Sequence, residues 1–240
     1  MKTLSRIPLI LLALIMALSV FAGCSSSDDT QTTAQFNSSS SVSTSSSSAA
    51  VEVVSDVTTV ETSYTESDII GDYTQDGATM ISFNNDSAVI DGDGASYLDG
   101  TVNITRAGTY ILSGSLSGQV VVDATSVDEV HLVLNNVNIT NPDGAAIFIK
   151  QAEKATITLA DGSTNYLEDG SSYSDTSDDA PDAVIYSDDN LTINGIGQLT
   201  VVGNYKHGIK CADNLVITSG TLNVTAANDG IRGKDSVSIL

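Results

Sequence analysis

Bases are scarce in this 240-residue sequence: nine Lys and Arg stand against thirty Asp and Glu, a formal net charge of −21. A chain so acidic repels a phosphate backbone, which excludes nucleic acid as a natural partner. Cysteine is almost missing. Cys24 and Cys211 are the two present, too few for a disulfide framework, so the core itself must hold the fold. No apolar run reaches the roughly 20 residues of a comfortable membrane-spanning helix. The best stretch, Ile7 to Val20, sits at the N-terminus behind Lys2 and Arg6. Helical periodicity is also lacking between the apolar segments of the second half. The fixed Leu and Asn/Cys spacing of leucine-rich repeats is absent too.

What is present is a repeat. Leu191-Thr192-Ile193, Gln198-Leu199-Thr200-Val201 and His207-Gly208-Ile209-Lys210 make one unit. Leu215-Val216-Ile217, Thr221-Leu222-Asn223-Val224 and Asp229-Gly230-Ile231-Arg232 make the next, and Val237 to Leu240 open a third. The period is roughly 22–24 residues, the range of stacked repeats. Each unit holds three short runs alternating apolar with polar residues, rich in β-branched side chains and separated by Gly, Asn and Asp, which is the strand signature. The expected architecture is therefore all-β, a single-stranded parallel β-helix in which each unit is one turn with three faces. Successive coils bury a continuous stripe that one coil alone could not. In that register Ile185, Ile209 and Ile231 form one file, Ile193 and Ile217 another, and Val201 and Val224 a third.

Four segments follow along the chain. Residues 1–24 read as a signal peptide, and Ala22-Gly23-Cys24 resembles the lipobox of bacterial lipoproteins, which makes Cys24 the expected lipidation site. Residues 25–60 are Ser/Thr-rich with few large apolar side chains, the composition of a disordered tether. Such a segment behind a lipid would hold a domain off the outer face of the cell membrane. Residues 61–100 are expected to cap the stack, and residues 101–240 to form it, ending within a coil. A loop from about Asp161 to Pro181, with Tyr166 and Tyr173, is the largest departure from the period.

The acids are not scattered. Asp189, Asp213 and Asp235 fall at matching places in successive units, and Asp182 and Asp229 nearly correspond at the entry to the third strand. Coils roughly 4.8 Å apart would bring such carboxylates close together. Each like pair then repels by about 1 kcal/mol in water. The file must spread into solvent, pair with bases or hold a cation, and hard oxygen donors favour Ca²⁺. Lys210 and Arg232 stack outward one coil apart, with Tyr186 in the same column and Lys206 beside them. Two readings fit these bases. One is compensation for the neighbouring carboxylates. The other is a binding strip, with an aromatic face for a sugar ring and cations for its acid group. Cys211 alternates inward with Ile209, and no histidine shares its strand run in a catalytic spacing, His131 and His207 lying in different units.

Gly108 to Gly114, Leu132 to Ile139, Leu191 to Gly195 and Asn228-Asp229-Gly230-Ile231, taken in order, resemble the carbohydrate-binding β-helix lipoproteins that carry calcium sites like those of pectate lyases. The resemblance runs from about Asp72 to Leu240. It implies a right-handed hand for the β-helix, a polysaccharide partner such as polygalacturonate or cellulose, bound Ca²⁺ and no established catalysis. By motif it places calcium at Asp229 and, with less direct correspondence, at Asp182, Asp189, Asp213 and Asp235. A non-catalytic, surface-anchored polysaccharide binder is the leading expectation, with Tyr186, Lys206, Lys210 and Arg232 on the glycan. A calcium-dependent polysaccharide lyase is the alternative, Lys210 and Arg232 then being the basic groups that such proton abstraction needs. A structural adhesin or spacer is the third class.

Overall fold

The computed structural model describes residues 64–240. The expected signal peptide with Cys24 and the tether lie outside those residues. One short helix, α1 (Glu66–Ile69), precedes the strands. No helix among the described residues is long and apolar enough to cross a membrane. The strands are β1 (Thr79–Asn85), β2 (Ala88–Asp91), β3 (Ala95–Leu98), β4 (Thr101–Ile104), β5 (Gly108–Ser117), β6 (Gln119–Asp123), β7 (Glu129–Asn141), β8 (Ile147–Gln151) and β9 (Lys154–Leu159). They continue as β10 (Thr164–Asp169), β11 (Ala183–Ser187), β12 (Asn190–Gly195), β13 (Gln198–Gly203), β14 (His207–Cys211), β15 (Asn214–Ile217), β16 (Thr221–Ala226), β17 (Ile231–Gly233) and β18 (Ser236–Ile239).

These strands form two sheets around one core. The larger has eleven strands, with β16-β13-β10-β7-β9-β12-β15-β18 as its main path and β1, β2 and β5 beside it. The smaller has seven, in the order β17-β14-β11-β8-β6-β4-β3. The expected files of aliphatics are in register: Ile147, Ile185, Ile209 and Ile231 pair along the smaller sheet. Ile157, Ile193, Ile217 and Ile239 do so along the larger, as do Leu167, Val201 and Val224. Alternation turns every second side chain inward, so these files meet in a continuous core that includes Leu132, Ile157, Ile185 and Ile209, all fully buried.

The expected single right-handed parallel β-helix is corrected. The protein is all-β, but its sheets mix parallel and antiparallel pairs, neither closes, and the arrangement is a sandwich-like facing of two sheets. Two causes lie in the turns. First, β1 and β2 pair antiparallel through a turn at Asn84 to Ser87, where Asn85 takes a positive φ of 55°. β3 and β4 also pair antiparallel, because Asp99 and Gly100 both have positive φ, 47° and 79°. An Asp-Gly pair of this kind makes the tight hairpin turn whose twist suits antiparallel strands. Second, β5 and β7 run through corners at which three separate faces would need a break. Their register shifts between Leu112 and Gly114, and Asn136 bends β7 at a φ of 60°. One long strand thereby joins two expected faces into a single sheet.

The segment before β1 also lies elsewhere than at the end of the stack. Residues 65–70 cross the outer face of the larger sheet. Thr192 donates to the Asp68 carboxylate at 2.5 Å, Asn194 donates to the carbonyls of Asp68 and Ile70, and Thr218 donates to Asp68 O at 2.8 Å.

Candidate functional site

One outward column runs down the smaller sheet: Val121 pairs with Phe148, Phe148 with Tyr186, Tyr186 with Lys210 and Lys210 with Arg232. Neighbouring strands lie about 4.8 Å apart, so the column advances by that much per residue. The stacking of Tyr186, Lys210 and Arg232 expected from the repeat is present. Their surroundings are not those of a bare strip.

Tyr186 is only 7% exposed. Lys210 Nζ lies 5.2 Å from its ring centroid, and Phe148 meets it edge-on at 5.7 Å and 63°. Burial, with the carboxylates of Asp188, Asp182 and Asp179 nearby, pushes the phenol up to about 12. The open aromatic ring is instead Phe148, half-buried on β8. Its repeat, Ala145 to Ile149, lacks the Asp-Gly-Ile signature that drew attention to the later strands.

The bases are paired. Lys210 Nζ lies 2.7 Å from Asp182 Oδ1, and Lys206 Nζ lies 3.6 Å from Asp182 Oδ2. Lys206 also sits 5.0 Å above the Tyr205 ring. Arg232 Nη1 lies 3.4 Å from Asp229 Oδ2, and its side chain stays half exposed. Between these pairs lies buried His207, its Nδ1 3.2 Å from Asp229 Oδ2 and its Nε2 3.8 Å from Asp182 Oδ2. Burial lowers its pKa against the opposing pull of the two carboxylates. His207 thus lies between the two acids, within reach of both. Sequence reasoning weighed it only as a partner for Cys211; its neighbours are the acids Asp182 and Asp229.

The carboxylates expected as calcium ligands thus divide. Asp182 and Asp229 face the protein's own cations and His207. Asp189 Oδ2 accepts the Ala152 N–H at 2.9 Å. Asp213 and Asp235 occupy successive turns just before β15 and β18 and, like Asp189, enter no ion pair among the described residues. No three His, Cys, Asp or Glu side chains among the described residues converge into a metal-holding group. Beside this column the Asn190, Asn214 and Ser236 side chains form a ladder, Asn214 donating to Asn190 at 3.0 Å and Ser236 to Asn214 at 2.7 Å. Cys211 is fully buried, and burial pushes its thiol up to about 11, where it serves as core rather than nucleophile.

The excursion after β9 is shorter than expected, because Tyr166 belongs to β10 and residues 170–182 form the loop. Tyr173 pins it. Its hydroxyl donates to Asp169 Oδ2 at 2.8 Å and lies 3.1 Å from Ala183 O, while its ring stacks on Tyr205 at 4.4 Å. The loop thereby stands as one wall of a cleft of about 430 Å³ whose floor includes Val121 and Phe148 and whose rim includes Gln119, Asp143, Asp175 and Pro181.

Together these features define an all-β scaffold that presents a cleft lined by Phe148 beside a column of paired charges. Residues 98–240 match the family described as Carbohydrate-binding domain-containing protein, and the chain belongs to that family. A curated relative of that description from Acetivibrio thermocellus is 45% identical over 157 residues, 64% of this chain and 55% of its own length. The chain therefore spans about half the length of that relative. A solved structure of a polysaccharide lyase-like protein from C. thermocellum, in a gadolinium derivative, is also similar. It has a TM-score of 0.66 and 44% identity over 68% of this chain and 67% of that one.

Proposed function

We propose that the protein is a non-catalytic polysaccharide-binding module whose glycan lies along the Phe148–Tyr186–Lys210–Arg232 column. The observation that carries this reading is one outward column that joins the half-buried Phe148 ring, with its loop-walled cleft, to the half-exposed Arg232 guanidinium. Extended sugars use such faces because rings stack on aromatic surface while fixed polar groups set orientation. Arg232 is the residue for an acidic sugar, since a guanidinium binds a carboxylate through two parallel donors and only one contact to Asp229 is in place. The test is titration calorimetry against a panel of neutral and acidic oligosaccharides. Arg232→Ala should weaken acidic ligands about tenfold and leave neutral ones alone. Equal loss for both classes would remove the strip from the reading.

Calcium belongs to the same proposal at Asp189, Asp213 and Asp235, turn acids at matching positions of successive strands that enter no ion pair among the described residues; their side chains do not converge there, so an ion would have to draw them together. Chelator should then abolish binding of acidic glycans; binding that persists unchanged refutes the calcium role. Lipid anchoring at Cys24 on the outer membrane face completes the proposal, and mass analysis of the mature N-terminus tests it.

The lyase alternative draws support from the lyase-like description of the similar structure. Lys210, its candidate base, is held in an ion pair with Asp182, which favours binding over proton abstraction. An absorbing unsaturated product from a uronate polymer would reverse that choice.

A further inference from the structure

Resting on the binding reading above, the geometry points to a polarity along the column: we infer that the Phe148 cleft accepts an uncharged sugar ring, and that an acidic unit of the same chain lies three strands away at Arg232. The preferred ligand is therefore a glycan of mixed charge, neutral at one position and acidic at another, rather than a uniformly neutral or uniformly acidic polymer.

The cleft carries the first half of this inference. None of its lining side chains is Lys, Arg or His. Asp143 and Asp175 both stand at its rim, held in place by the loop itself. Asp143 Oδ1 accepts the Ser174 N–H at 2.7 Å, and Asp175 Oδ1 accepts the Ser177 N–H at 3.0 Å and its hydroxyl at 2.8 Å. In each carboxylate the second oxygen takes no protein donor among the described residues, and Gln119, whose Nε2 donates to Thr101 at 3.3 Å, also lines the cleft. The carboxylate oxygens are acceptors suited to sugar hydroxyls, which donate. A carboxylate-bearing ring in the same place would meet two like charges and no cation. Phe148 supplies the apolar floor. Its ring is fixed edge-on by Tyr186, so a sugar face stacks on it without first immobilising it.

The opposite end carries the second half. The cationic side chains of the column are Lys210 and Arg232, two and three strand spacings from Phe148, about 10 and 14 Å. Lys210 is largely covered, at 21% side-chain exposure, whereas Arg232 keeps 52%. The acid-reading position is thus at the far end, and the wall that excludes acids is at the near end. A chain bound across both must change character over two or three units.

The experiment compares three oligosaccharides of equal length by calorimetry on the full chain, with calcium held constant: a neutral hexose oligomer, a fully acidic uronate oligomer, and a uronate oligomer with about half its carboxyls methyl-esterified. The partly esterified oligomer should bind about tenfold tighter than either of the others, a difference of about 1.4 kcal/mol. Phe148→Leu, which keeps apolar volume but removes the ring, should erase that preference while unfolding at the same denaturant concentration. Asp143→Asn with Asp175→Asn should raise affinity for the fully acidic oligomer about tenfold and change the neutral one little. A fully acidic oligomer that equals the esterified one in the parent protein, with a ratio unmoved by the double substitution, overturns the neutral subsite while leaving the module a glycan binder. Failure of all three oligomers to bind overturns the binding reading itself, and the subsite with it.

Discussion

Asp68 is an acid buried on the outside of a sheet. It is 4% exposed, while its neighbours Ile69 and Ile70 face solvent at 53% and 49%. The segment is therefore inverted, its polar side turned inward, and what holds it is hydrogen bonding rather than apolar contact. Lys154 pairs with the Asp68 carboxylate, and Thr192, Asn194 and Thr218 satisfy the rest. Burial alone would raise the Asp68 pKa. The donors from Lys154, Thr192 and Thr65 outweigh it and hold the group at about 2. A folded-state pKa below the unfolded value of about 3.9 means stability that is full above that value and lost as pH falls towards 2, worth about 2 kcal/mol. Urea unfolding should show the parent losing that much between pH 5 and pH 2 relative to Asp68→Asn, which is already weaker at pH 7 by about 1–3 kcal/mol. A gap between the two that does not narrow on acidification would remove Asp68 as the anchor.

At the scale of elements, the loop at 170–182 depends on Tyr173. Its hydroxyl serves Asp169, an acid buried at the end of β10 that also accepts Asn204 N–H at 2.5 Å. Burial raises the pKa of both groups. Tyr173→Phe keeps the stack on Tyr205 but leaves Asp169 short of a donor. The expected cost is about 1–3 kcal/mol, with faster protease cleavage confined to 170–182 and weaker binding of any ligand that needs the cleft wall. Cleavage at the parent rate would show that the ring stack alone seats the loop. Why some of this was readable and some was not follows from periodicity. The strand runs and the files through Ile185, Ile209 and Ile231 could be read because alternation repeats and each unit checks the next. The antiparallel hairpins have no second copy to compare, and the Asp99-Gly100 turn falls outside the repeating units. The Tyr186–Lys210–Arg232 column was legible from matched positions. The pairing of those bases with Asp182 and Asp229 was not, since it depends on how side chains from adjoining strands extend. Phe148 escaped for a related reason, sitting in a unit without the motif; the loop with Tyr173 stood out as a break in the period, but the contacts of that hydroxyl have no period to reveal them.

For the molecule as a whole, the net charge of −21 sets a field that opposes the local chemistry of Arg232. An acidic glycan approaching the column is repelled at long range and attracted only at contact. Salt separates the two, because the screening length falls from about 30 Å at 0.01 M to about 10 Å at 0.1 M. Over that range the repulsion from distant carboxylates is damped first, while a pair in direct contact is damped little. Affinity for an acidic oligosaccharide should therefore rise several-fold as sodium chloride goes from about 10 to 100 mM, then fall at molar salt when the contact pair weakens too. A neutral oligosaccharide, which has no charge for the field to act on, should bind alike throughout. Calorimetry across the series, at constant calcium, distinguishes the cases. A steady fall from the lowest salt upward would mean that the paired bases of the column outweigh the acidic body, and that the molecule attracts acidic chains from a distance.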